Sequence, residues 1–234
     1  MSNDLKPSLR TSFLALFSSI LGVSGLIIAI LATLGFFLLS QQVLNQQTTP
    51  FDTAILQYFL SIQNPILTQF FIVISFLGKP SLLLLINFIF SLFLFINKKI
   101  STAIVFLIIG NGAAAFNLFL KSSLARDRPE LWDRIIEVKY LSFPSGHAMG
   151  SIVIYGLMGY YLMTQFKPWR GLILSLTSIL ILLIGLSRLY LGVHWPTDII
   201  AGYMMGSLWL VIAILIIEII KYSAIYKQNN SENK

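Results

Sequence analysis

No cysteine occurs among the 234 residues, histidine occurs only twice, and charged side chains make up just 11% of the chain. The first absence excludes disulfides, thiolate nucleophiles and cysteine-held zinc or iron–sulfur centres. The second confines imidazole chemistry to His147 and His194. The third excludes an ordinary soluble domain, in which about a quarter of the residues are charged. Acidic residues are scarcer than basic ones, nine against sixteen, and four of the eight besides Asp198 fall within 127–137. A two-metal carboxylate site therefore has little material to draw on.

What is present is apolar: 56% hydrophobic residues and a mean hydropathy of +0.83. That composition predicts an all-α, polytopic membrane protein, a single domain over residues 1–234. The formal net charge of +7 comes from Lys and Arg placed in ones and twos between apolar runs. Such an arrangement fixes topology and holds anionic headgroups, so nucleic acid is not an expected partner.

Six spans are expected, at 12–39, 80–96, 100–120, 146–166, 171–186 and 196–220, with interfacial or partial helices at 51–62 and 66–77. The first run is too long for a signal peptide and ends in Ser40-Gln41-Gln42, which offers no cleavage site. Gly78-Lys79-Pro80 breaks the apolar stretch before the second span. An odd number of crossings there keeps Lys98 and Lys99 on the side of Lys6 and Arg10. This count puts both termini in the cytoplasm and places Lys121, Arg128, His147, Arg188 and His194 together at the external face.

Three polar clusters at span boundaries carry the chemistry. Lys121 and Arg128 stand seven residues apart, about 10 Å on a continuing helix, where they could grip a phosphate or merely anchor the span. In Pro144-Ser145-Gly146-His147, Ser145 is a candidate N-cap. Gly146 permits close backbone approach, and His147 stands at a helix start as a proton donor or as a plain interfacial histidine. Arg188 precedes His194 by six residues, and Asp198 follows it by four. Asp198 could then orient His194 as a nucleophile or base, or the pair could simply cap the last span. The Gly146/Gly150 and Gly202/Gly206 pairs read as close helix packing.

Taken together, Lys121-x6-Arg128-Pro129, Pro144-Ser145-Gly146-His147 and Ser187-Arg188-x5-His194 resemble the three-part signature of the type 2 phosphatidic acid phosphatase superfamily, which also includes vanadium haloperoxidases and glucose-6-phosphatases. The resemblance covers residues 121–198 and implies a membrane phosphatase needing no metal or cofactor. It implies that His194 attacks phosphorus to form a phosphohistidine, with Asp198 orienting it and His147 protonating the leaving group before activating water. Lys121, Arg128, Ser145, Gly146 and Arg188 would hold the phosphate oxygens. The implied substrate is a membrane lipid phosphate: phosphatidate, phosphatidylglycerophosphate or a polyprenyl diphosphate such as undecaprenyl pyrophosphate. A lipid-phosphate binding or transport protein and a haloperoxidase are the rival expectations.

Overall fold

The computed structural model describes residues 20–132, 135, 136, 138 and 141–231. Among them the chain forms eight α-helices and one short 3-10 turn. They are α1 (Ile20–Leu44), α2 (Thr49–Ser61), α3 (Pro65–Leu77), α4 (Pro80–Ile96), α5 (Ile100–Leu124), α6 (Gly146–Gln165), α7 (Arg170–Tyr190) and α8 (Pro196–Ser231). The expected start of the first span, at residue 12, lies outside the described residues.

The helix limits follow from local chemistry. Asn64 caps α3 by accepting from the Leu67 amide at 3.0 Å, and Pro65 and Pro80 occupy first-turn positions where a missing N–H costs nothing. Pro80 also prevents α3 from running on into α4, so the two meet at a 48° bend. At the end of α5, Ala125 takes a left-handed conformation (φ 44°) that turns the chain out of the helix.

Four helices are each long and apolar enough to cross a membrane: α1, α5, α7 with its preceding turn, and α8 as far as Ser223. The bent α3–α4 pair passes that test only jointly, giving up to five. The expected spans over 80–96 and 146–166 thus do not qualify singly. For α4 the reason is length, 17 residues. For α6 it is composition, since its glycines and tyrosines with His147 and Ser151 lower the mean hydropathy of a helix 20 residues long; this central helix turns Ser151, Val153, Ile154 and Leu157 inward against its neighbours.

The bundle is apolar on the outside as well as within. On α1, Leu26, Ile27, Leu31 and Phe37 are exposed, and on α7, Leu172, Leu174, Leu176 and Ile179. In water such a surface would be a liability; in lipid it is the solvated face. The main core joins Leu83 and Leu94 of α4, Phe106 and Ile109 of α5, Val153 and Leu157 of α6, and Ala213 and Ile217 of α8.

Glycines let α6 and α8 approach backbone to backbone. A Cβ on Gly202 would come within 2.7 Å of the Ser145 carbonyl oxygen, and one on Gly206 within 2.9 Å of that of Met149. The packing reading of this pair holds: α8 rides directly on the first turns of α6, and the Ser145 amide donates to the Asp198 carbonyl at 3.0 Å. At the same end α2 and α3 lie over α7. The buried Tyr190 fixes them there, its hydroxyl accepting from the Asn64 amide at 3.0 Å and its ring lying 4.5 Å from that of Phe71.

Candidate active site

Five of the side chains singled out in the sequence line one cavity of about 470 Å³: Lys121, Arg128, His147, Arg188 and His194. Gly146 contributes backbone to its wall. They come from the end of α5, the loop after it, the start of α6, the end of α7 and the α7–α8 turn.

The expectation that Lys121 and Arg128 share one helix is overturned. The left-handed turn at Ala125 ends α5 between them, and Arg128 lies on a non-helical segment. They converge through the chain that returns beside them. Lys121 Nζ donates to the Leu141 and Ser142 carbonyls at 2.6 and 2.9 Å, and Arg128 Nη2 to that of Leu141 at 3.3 Å. Arg188 is buried, with Nη1 donating to Ser75 Oγ of α3 at 2.5 Å. Its Nε has no hydrogen-bond partner among the described residues. Lys121 and Arg188 are thus held by neutral oxygens, and the unmet Nε–H is a donor awaiting an acceptor.

His194 sits on the turn between α7 and α8, which Gly192 permits by adopting φ +69°. Its Nδ1 lies 3.1 Å from Asp198 Oδ2 and 3.3 Å from Ser142 Oγ. A carboxylate only accepts, so Nδ1 carries the proton and Nε2 presents its lone pair. Arg128 Nη1 donates to that lone pair at 3.2 Å. Burial first, and then the positive charges of Arg128, Lys121, Arg188 and Arg126, hold the His194 pKa well below the ordinary 6.5. The ring is therefore neutral at physiological pH, the state a nucleophile needs.

Asp198 is fully buried and stands behind the cavity wall. Besides His194 its carboxylate accepts from the Ser142 hydroxyl, the Trp195 amide at 2.8 Å and Arg126 Nη1 at 2.7 Å. Arg126 also pairs with Asp52 of α2 at 2.7 Å, and Asp52 accepts from the amide and hydroxyl of Thr197 at 3.0 and 2.8 Å. Ser75, Arg126, Ser142, Thr197 and Asp52 are absent from the sequence reading of the site. One signal for them was available, since Asp52 is the sole acid between Asp4 and Asp127 and sits in a helix otherwise suited to an interface.

The α6 start is built differently. Ser145 Oγ accepts from the Ala148 amide at 3.4 Å, so Ser145 caps the helix as expected, but it is buried and does not line the cavity. Gly146 has a structural reason of its own, because a Cβ there would come within 2.9 Å of Asn117 Oδ1. The His147 ring makes no hydrogen bond among the described residues, and a Cβ on Gly78 would come within 3.2 Å of its Cδ2. No group of three or more His, Asp or Glu among the described residues has the arrangement of a metal-ligand set.

From this polar end the cavity extends between α4, α5 and α6, past Leu84, Ala113, Ala114 and Val153, as far as Gly110 and Ile154. Eleven residues of α5 separate Gly110 from Lys121, about 16 Å of helix.

Residues 99–221, more than half of the chain, match the PAP2 superfamily. The chain belongs to that superfamily. It is a multi-pass membrane lipid phosphatase, a phosphoric monoester hydrolase. Phosphatidylglycerophosphatase B of Bacillus subtilis is 28% identical over 176 residues, 74% of this chain and 86% of its own. An undecaprenyl-diphosphatase of Sulfolobus acidocaldarius is 39% identical over 66 residues, 28% of this chain and 29% of its own. The crystal structure of a transmembrane PAP2-type phosphatidylglycerolphosphate phosphatase from Bacillus subtilis superposes with a TM-score of 0.75 at 26% identity. That superposition covers 80% of this chain and 94% of the other.

Proposed function

We propose that this phosphatase cleaves phosphatidylglycerophosphate or a polyprenyl diphosphate through a phosphohistidine on His194. The observation that carries the reading is the His194 Nε2 lone pair, fixed by Asp198 at Nδ1 and facing a cavity that Lys121, Arg128 and Arg188 also line. In the first step Nε2 attacks phosphorus, the P–O bond to the lipid breaks, and the departing oxygen takes a proton from protonated His147. In the second, water gives a proton to His147 while its oxygen attacks phosphorus. The P–N bond then breaks, its electron pair returns to Nε2, and inorganic phosphate leaves. Throughout, the three cations and the Gly146 amide hold the non-bridging oxygens, which is the positioning and charge stabilisation that phosphoryl transfer needs. Asp198 keeps the Nδ1 proton in place, and Arg126 balances its charge.

The apolar extension of the cavity supports a lipid substrate, since it offers the tail a slot reached from within the bundle while the phosphate stays at headgroup depth. The relatives named above support the two preferred headgroups. We further propose six crossings, α1, α4, α5, α6, α7 and α8, with α2 and α3 on the external side over the site and both termini in the cytoplasm. The positive-inside distribution of Lys and Arg supports this orientation.

The test is phosphate release by purified protein in detergent with EDTA present, comparing phosphatidylglycerophosphate, undecaprenyl pyrophosphate and phosphatidate. Release that persists in EDTA and disappears in His194→Ala is expected. Undiminished turnover in that variant would remove His194 as nucleophile, and dependence on added metal would remove the metal-free route.

A further inference from the structure

A second hollow of about 280 Å³ opens beside the first, walled on its outer side by Ile72, Phe76, Ile136 and Leu191. The two share four side chains: Lys79, Val138, His147 and Arg188. The reaction described above gives Lys79 no task.

Its position gives it one. Lys79 is exposed at the bend between α3 and α4, and its ammonium has no hydrogen bond or ion pair among the described residues. The preceding residue, Gly78, lies against the His147 ring. The residues that follow, Pro80, Ser81, Leu83 and Leu84, line the start of the apolar slot. Lys79 therefore stands between the group that protonates the departing oxygen and the place where the tail begins. The first polar unit of the leaving group must occupy that interval. Lys121, Arg128 and Arg188 are already assigned to the phosphate under attack, so a further cation there has a different anion to meet.

We infer that Lys79 reads a second phosphate, one that the leaving group retains after cleavage. This rests on the proposed reaction and sharpens its substrate class. A polyprenyl diphosphate leaves as a prenyl monophosphate, and phosphatidylglycerophosphate leaves as a phosphodiester lipid. Phosphatidate leaves as an uncharged diacylglycerol and gives Lys79 no anion. In the diphosphate the second phosphate gains negative charge as the bridging P–O bond breaks, so a cation beside it contributes more in the transition state than in the ground state. Lys79 is thus a specificity-determining residue.

The test uses two matched pairs in the same detergent: dioleoyl phosphatidylglycerophosphate against dioleoyl phosphatidate, and farnesyl diphosphate against farnesyl monophosphate. For each pair the ratio of kcat/KM values is measured in the wild type, in Lys79→Gln and in Lys79→Arg, with thermal unfolding to confirm that the variants fold. Lys79→Gln is expected to lower the ratio by about tenfold, the effect of one lost charge-assisted contact, and Lys79→Arg to keep most of it. A fall in both pairs supports the shared chemistry, and a fall in one pair supports the inference and names the lipid in which the phosphate is read. Unchanged ratios in both pairs, whether or not all rates fall together, would overturn the role of Lys79 and leave the phosphatase reading standing. No phosphate release by the wild type from any of the four compounds would instead overturn that reading, and this inference with it.

Discussion

The two histidine-bearing walls of the cavity are built on opposite principles. His194 is buried and locked, with Nδ1 tied to Asp198 and Ser142 and the carboxylate behind it fixed by Arg126 and a backbone amide. His147 is half-buried, its ring without a hydrogen bond among the described residues, and faces both hollows. A group that must attack along one line gains from immobility, whereas a group that gives a proton to one oxygen and takes it from another gains from freedom. The same two side chains thus acquire different tasks from their surroundings alone.

The hardest blow to this contrast is His194→Ala, which is expected to lower kcat by about 10⁴-fold or more on every substrate, measured by phosphate release. Asp198→Asn comes next, at roughly 10³-fold. It keeps the shape of the site but lets Nδ1 lose its proton, which puts the lone pair on the wrong nitrogen. The diagnostic reading is that KM moves much less than kcat. His147→Ala is expected to slow formation of the phosphoenzyme about 10²-fold with lipid phosphates but far less with an aryl phosphate, whose leaving group departs without a proton, while hydrolysis of the phosphoenzyme is slowed alike for both. Equal losses in the formation step on both substrates would assign His147 to something other than leaving-group protonation.

Gly202→Ala probes what brings the two walls together. Its methyl would crowd the Ser145 carbonyl, so α8 must move away from α6, at a cost of about 1–3 kcal/mol read as a lower Tm in detergent, with a smaller loss of activity than in the histidine variants.

The smallest expected effect is on ionisation. His194 takes up a proton only well below pH 6.5 in the folded protein, because of burial and then Arg128 and the other cations. The unfolded chain takes one up near the ordinary value, so this residue's contribution to stability is present above about pH 6.5 and is lost as the pH falls below it. Arg128→Gln removes the nearest positive charge and is expected to move the His194 titration upward, followed by histidine NMR.

Much of this was legible in the sequence. The three motifs are local, and each lies at an element boundary where a Pro, Gly or Ser marks the turn, so Lys121, Arg128, His147, Arg188 and His194 could be placed near one another. The i, i+4 relation of His194 and Asp198 also survives, because Pro196 starts α8 in time to put Asp198 in its first turn. What failed was inference across a turn: nothing in the run from Lys121 to Arg128 announces that Ala125 ends the helix. What was missing altogether were contacts set by tertiary packing. Ser75 reaches Arg188 across 113 positions and Asp52 reaches Thr197 across 145, and neither has a sequence neighbour that hints at its partner.

The central claim is a covalent bond between His194 and phosphorus. The direct measurement is a rapid quench of His147→Ala during turnover of a phosphorus-32-labelled aryl phosphate, where formation of the intermediate needs no leaving-group proton and its hydrolysis lacks the base. The account predicts acid-labile, base-stable label, at most one per chain, mapping by peptide analysis to His194 and absent when His194→Ala is added. Steady release of phosphate with no protein-bound label, or label on another residue, would contradict it.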